Sequence, residues 1–227
     1  MALAGAGAVA IWHDIVAGGR DDFYAWHGTE HMPERLAIPG FLRGRRYVSL
    51  DGGSPEFFNL YETASTAVLA GRDYLERLDH PTSWTRAAVA HFRNVARSLC
   101  EVATTRGRGG GGLVATLRYD VLPERAAAHR ARVDAALARL AGDPGIAGAH
   151  LLIADEAASG IATAERRARG GTTEVPRWIV LVEGWGDAAS FERACADFAA
   201  GAAFGEAMSA PARSVYRLQL DVGPASR

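Results

Sequence analysis

"TTRGRGGGG", residues 104–112, cuts the 227-residue chain nearly in half, and the halves on either side read alike. Its run of glycines and arginines has the composition of a linker. The first half opens with "AVAIWHDIV" (8–16) and the second with "GLVATLRYDVL" (112–122), both short β-type runs. A helical pattern follows each: "RDDFYAWHGTEHMPERL" (20–36) and "PERAAAHRARVDAALARLA" (123–141), the latter with Pro123 suited to a first helical turn. Then come "IPGFLRGRRYVSL" (38–50) and "DPGIAGAHLLIAD" (143–155), which share a Pro-Gly turn running into a strand. "EFFNLYETAS" (56–65) and "RWIVLVEGWGDAAS" (177–190) each read as a strand that breaks at a glutamate into a helix start. Each half closes with helical segments and a last strand, "RSLCEVAT" (97–104) and "SVYRLQLDV" (214–222).

The order β-α-β-β-α-β in each half is the ferredoxin-like unit, an α+β arrangement with antiparallel sheets. Such a sheet has helices on one face only, so two units in one chain are expected to pack their bare faces together as an intrachain α/β barrel. The expected boundaries are 1–104 for the first unit, 105–112 for the linker and 113–227 for the second. The second unit carries an extra segment, 155–176, between its second and third strands, whose Ala/Arg/Gly/Thr composition reads as a mobile surface flap.

Composition limits the function classes. Hydrophobic residues make up 48% and charged residues 22%, as in an ordinary globular protein, and the net charge of −1 gives no reason to expect nucleic acid as a partner. Every basic residue is arginine, so no lysine nucleophile or Schiff base is available. Cys100 and Cys195 lie far apart without a CxxC, which points to a reducing, cytoplasmic setting. The apolar start lacks a basic leader, and no apolar run nears the ~20 residues of a membrane helix, so no membrane is expected.

Offsetting the first half by 106 residues lays His27 over Val133, Glu30 over Ala136 and His31 over Leu137. Val133, Leu137 and Leu140 form an i, i+4, i+7 stripe, the face a helix buries. His27 and His31 are therefore expected to face the sheet. By the same logic Arg46 falls over Leu151, Asn59 over Val180 and Tyr61 over Val182. Polar groups in the positions of a core predict a polar pocket in the first unit, with the second as scaffold, or else a buried network in which they satisfy one another. Strand alternation turns Arg46 inward and leaves Arg43 and Arg45 solvated. The other histidines, His80, His91, His129 and His150, read as structural, with His13 at the margin of the pocket. Trp12, Trp84, Trp178 and Trp185 read as core.

"HGTEH" (27–31) has three readings. H-x-x-E-H is the spacing of an inverted zinc-protease motif, but the acidic residue near the distance of a third ligand, Glu101, falls in a predicted strand rather than a helix, and Pro33 disturbs the helix. It also fits two histidines on an ordinary helix. The third reading rests on a resemblance. "FYAWHGTEHMPERLAIPGFLRGRRY" (23–47) resembles the signature of the dimeric α/β-barrel superfamily, particularly its EthD-like branch, in which Glu-His-x-Pro ends the first helix before a Pro-Gly turn. The resemblance implies a pocket between helices and sheet with His31 as the family histidine. It implies no single reaction, since members include cofactor-independent monooxygenases, haem-degrading enzymes, cyclases and isomerases.

In that setting His31 is the expected general base or acid, with Tyr24 and His27 orienting it or binding a substrate oxygen. Arg46 would hold a carboxylate or enolate, Asn59 and Tyr61 would bond a carbonyl, and Trp26 would wall the pocket. The set suits cofactor-independent proton transfer next to a carbonyl on a hydrophobic small molecule, with neither metal nor cofactor required. The alternative is a non-catalytic binding or structural protein. Either fits a monomer with an internal pseudo-dimer, or a homodimer.

Overall fold

The computed structural model describes residues 3–205 and 207–224. Eight strands close into one antiparallel barrel: β1 (Gly7–Ile15), β2 (Phe41–Ser49), β3 (Phe57–Thr63), β4 (Phe92–Gly107), β5 (Leu113–Tyr119), β6 (Ile146–Ala154), β7 (Trp178–Gly184) and β8 (Ala212–Val222). Their order is β1-β3-β2-β8-β5-β7-β6-β4. Each unit contributes four strands in the ferredoxin-like order, and the seams are β2 on β8 and β4 on β6. Among the described residues, closure leaves no edge strand in the barrel. Two ferredoxin-like units thus share one barrel.

Helices line the outside. In the first unit they are α1 (Arg20–Trp26), a π-helical turn (His27–His31), α2 (Met32–Leu36), α3 (Thr66–Leu69), α4 (Arg72–Asp79) and α5 (Ser83–Val89). In the second they are α6 (Ala126–Leu140), α7 (Glu156–Gly160), α8 (Ala164–Arg169) and α9 (Ala188–Ala199). Among the described residues no helix is long and apolar enough to cross a membrane.

The period-2 alternation of β2 and β3 decides what faces where. Phe58, Leu60, Tyr47 and Arg45 point into the barrel, whereas Phe57, Asn59, Tyr61 and Arg46 point out beneath the helices. Arg45, expected in solvent, is 1% exposed. Its neighbours on both sides of the barrel explain why. Nη1 and Nη2 reach the Glu183 carboxylate at 2.7 and 3.1 Å, and Nη2 lies 2.9 Å from Glu62. Arg43 donates to Glu62 from the rim at 2.8 Å and is only partly exposed. The two strand-end glutamates are therefore neutralised inside the barrel by arginines of the solvent-looking "RGRR" run. Although burial pushes the Glu183 carboxyl up, His150 and Arg45 bring it down to about 2.

Of the segment 105–112, Thr105–Gly107 continue β4, and 108–112 turn across the barrel end. Gly111 donates its amide to Glu183, and a Cβ there would stand 1.9 Å from the carbonyl oxygen of Gly184. Gly107 and Gly111 are thus required for close packing, whereas a Cβ at Gly109 or Gly112 would meet nothing within 4 Å. Trp185, expected in the core, is 63% exposed because β7 ends one residue before it. Trp12 and Trp178 are buried as expected, and Trp84 is partly so.

Candidate functional site

Both Pro-Gly turns fold alike: Phe41 N–H bonds the Ile38 carbonyl and Ile146 N–H bonds the Asp143 carbonyl, with Gly40 at φ 91° and Gly145 at φ 84°. These are type II turns, which need positive φ at the third residue. Strand registers align as well, since Ala8 pairs with Glu62 and Val114 with Glu183. Yet Ala8 and Gly40 are 32 positions apart and Val114 and Gly145 only 31. The first unit has one extra residue between its first strand and its turn.

That residue is absorbed at His27–His31, the π-helical turn, where Met32 N–H bonds the His27 carbonyl five residues back. Pro33 follows at once, lacking the N–H that would have continued the α-helical ladder. A π-bulge is the usual way a helix accommodates one additional residue, and such turns concentrate at functional sites. From this point the correspondence shifts by one, and Met32 rather than His31 takes the core place of Leu137. His31 occupies the widened turn, with its ring 5.6 Å from that of His27 and 4.3 Å from that of Trp26.

His27 is 2% exposed and has both ring nitrogens engaged. Arg46 Nη1 lies 3.4 Å from Nδ1, and the Tyr61 hydroxyl lies 3.1 Å from Nε2. A guanidinium can only donate, so Nδ1 accepts and carries no proton. Burial, then Arg46, His13 and Arg35, hold the ring well below its ordinary pKa, so it is neutral and its single proton sits on Nε2. Nε2–H therefore donates to the Tyr61 oxygen. The phenol proton is left free to point elsewhere, and burial pushes the Tyr61 pKa up, which keeps that proton on.

His31, 7% exposed, is likewise held well below its ordinary pKa by burial, then by Arg35 and His27. Its Nδ1 is buried without a hydrogen-bond partner among the described residues. Asn59 Nδ2 is 2.9 Å from His13 Nε2, while its Oδ1 has no such partner. His13, 0% exposed, is stacked on Phe92 at 4.1 Å and brought down to about 3 chiefly by burial. It belongs to the layer itself rather than to its margin, and the alternation that turns Trp12 into the barrel is the sequence signal for it.

Trp26 packs on His31 and donates to Thr85 at 3.1 Å. Glu30 is turned away from the histidines and accepts from Thr82 and Thr85 at the start of α5, at 2.6 and 3.2 Å. Tyr24 does not approach His31. It lies at the outer end, under the Arg46 guanidinium at 4.7 Å, and accepts from Gln219 at 3.2 Å. Gln219, from β8 of the second unit, also accepts from Arg46 at 3.2 Å, a contribution that first-unit motifs cannot reveal.

Arg35 escapes the motif reading, although 27, 31 and 35 run at i, i+4, i+8. It is 3% exposed at the inner end and bonded to Glu165 of the 155–176 insertion. That insertion is folded onto the first unit: α8 packs on α4 and α5, Leu99 N–H bonds Ser159 Oγ at 2.9 Å, and Ala164 N–H bonds Asp79 at 3.0 Å.

Among the described residues no group of three His, Cys, Asp or Glu side chains stands together as a metal site. No protein-family model and no curated protein matches the chain. Solved structures do. An anthrone oxidase-like protein superposes with a TM-score of 0.65 at 15% identity, over 97% of this chain and 93% of its own. A candidate monooxygenase from Lactobacillus acidophilus NCFM gives 0.57 at 10% identity, over 96% and 97%. A heme-binding protein from Thermus thermophilus gives 0.52 at 12% identity, over 94% and 91%. At these identities the likeness is one of architecture, and it agrees with the strand order and closure: the chain has the dimeric α/β-barrel fold, with both halves of the barrel in one polypeptide.

Proposed function

We propose that the chain is a small, cofactor-independent enzyme of the EthD-like type that moves a proton at a carbon next to a carbonyl in a hydrophobic small molecule. His31 is the general base through Nδ1. Tyr61 donates its free hydroxyl proton to the carbonyl oxygen, and the charge that develops there is stabilised through His27 and Arg46 behind it. His27 is a positioning residue, since neither of its nitrogens is free to take a proton. Asn59 Oδ1 offers a second polar contact, and Trp26 holds the base in place. Isomerisation or cyclisation returns the proton to another atom, whereas an oxygenase would let the carbanion meet dioxygen. The anthrone oxidase-like neighbour suggests a polycyclic ketone as a substrate of the right kind.

The observation that carries this reading is the ordered donor chain Arg46–His27–Tyr61 beside an orphaned, neutral imidazole nitrogen. His27, with both nitrogens committed, cannot serve as a haem ligand, and His31 Nδ1 is enclosed. The enclosure also supports the second reading, a binding or purely structural polar layer. Deuterium washout from the methylene of anthrone separates the two. The enzyme reading expects acceleration by the protein, reduced about 10²–10⁴-fold in His31→Gln and about 10²–10³-fold in Tyr61→Phe. No acceleration across a series of enolisable ketones would leave the structural reading.

A further inference from the structure

Glu165 is the carboxylate at the centre of a group of arginines. Arg35 lies beneath it, and Arg97, Arg166 and Arg169 line, with Glu165, a cavity of about 10 Å³, room for about one water. Ser159, Thr163 and Thr173 add hydroxyls to the same wall. The nearby acids are engaged elsewhere. Asp79 accepts from the Ala164 amide, and Glu34 is held by Arg77 at 2.7 Å, with Arg35 3.7 Å away. Cations therefore outnumber carboxylates in a partly dehydrated chamber. Arg169 Nε on its wall and Arg35 Nη1 beneath Glu165 are both buried without a hydrogen bond among the described residues, the latter 3.7 Å from Glu34.

Glu165 is also carried on a short segment bounded by glycines. It sits on α8, a six-residue helix between Gly160 on one side and Gly170 and Gly171 on the other. Gly170 and Gly171 have φ near 70°, and none of the three glycines would bring a Cβ within 4 Å of another group. The ends of the insertion are fixed outside these glycines, by Asp155 N–H to the Leu99 carbonyl and by Glu174 paired with Val95 and Arg97. Arg35, by contrast, is rooted in α2, one helical turn beyond His31.

We propose that Arg35 is the anchor for a carboxylate on the substrate, and that Glu165 fills this anchor until the substrate displaces it. This deepens the proton-transfer reading and rests on it for the placing of the ligand. The substrate class becomes an aromatic or polycyclic keto acid, its carbonyl at Tyr61, its acidic carbon at His31 and its carboxylate on Arg35. Without Glu165 the buried guanidinium keeps only the longer 3.7 Å contact to Glu34, a carboxylate shared with Arg77, so an arriving anion is favoured in its place. A neutral ligand cannot make that exchange.

The test is calorimetric titration of the whole protein with benzoate, against benzamide as the neutral isostere. Wild type is expected to bind benzoate at least tenfold more tightly than benzamide. Glu165→Gln should tighten benzoate about tenfold further and leave benzamide unchanged. Arg35→Met should abolish the preference and Arg35→Lys retain much of it, which separates loss of the anchor from loss of the fold. Benzoate should also speed tryptic cleavage after Arg166 and Arg167 in wild type, because α8 is released. Equal affinities for the two probes, no gain in Glu165→Gln, or a preference that survives Arg35→Met would each overturn the proposal. Anthrone carries no carboxylate, so its washout reports His31 alone and fails independently of the benzoate result.

Discussion

The two units place the same helix over the same sheet and fill the space between in opposite ways. In the second unit Val133, Leu137, Leu151, Val180 and Val182 make a continuous apolar layer. In the first, the matching layer holds His13, His27, His31, Asn59, Arg46 and Tyr61, nearly all of it enclosed. Beside this layer the second unit keeps a buried polar pair, His129 to Tyr119 at 3.1 Å. Tyr119 stands where the first unit has His13, and His129 where it has Phe23, with edge-on ring contacts of 5.4 and 5.2 Å. The backbone thus tolerates an apolar layer, and nothing in the architecture compels six polar groups into the other one. Their desolvation is a cost that the first unit carries and the second avoids.

The largest effect is expected where the two units depend on one another. Arg45→Met leaves Glu62 and Glu183 facing each other in the barrel, and urea unfolding should show a loss of about 3–5 kcal/mol. Next comes acid. His13, His27 and His31 all have folded pKa values below that of the unfolded chain, so the unfolded state binds more protons as pH falls. Stability conferred by keeping them neutral is complete above about pH 6.5 and is lost on acidification. At about 1.4 kcal/mol per proton per pH unit, the slope between pH 6 and 5 approaches 3–4 kcal/mol. A triple variant with His13→Phe, His27→Val and His31→Leu should flatten it.

The sharpest contrast is a pair. Leu137→Ala should cost about 2–5 kcal/mol, as for any well-packed core leucine. His31→Leu should change the melting midpoint little or raise it, since it removes an orphaned polar atom, and should abolish washout activity. A His31→Leu variant that loses as much stability as Leu137→Ala would mean the imidazole is a packing element. The smallest effect concerns helix caps. Thr82 caps α5 and Asp187 caps α9 through the Thr85 and Ser190 amides at 2.9 and 2.8 Å, so each alanine substitution should cost about 1 kcal/mol. Any excess at Thr82 measures its bond to Glu30.

The halves, the β-α-β-β-α-β order, the Pro-Gly turns and the inward stance of His27 and Arg46 are all legible in the chain, because they depend on local period and turn chemistry. Three things are not. The barrel interior is lined by both units, so Arg45 looks like a surface residue until Glu183, 138 positions away, is placed beside it. The π-turn hides in a one-residue difference of spacing that only a comparison of both turns and strands reveals. Gln219 and Glu165 enter the site across the seams, from segments whose local sequence carries no sign of it.

Residues 108–112, the short crossing between β4 and β5, have a consequence for how the molecule can change over generations. In a barrel assembled from two copies of one chain, each codon is read into both sites, and a substitution useful in one is imposed on the other. Here every position occurs once. One layer can gather histidines while the other stays greasy, and a loop from the second half can be recruited over the first without a twin appearing on the far side.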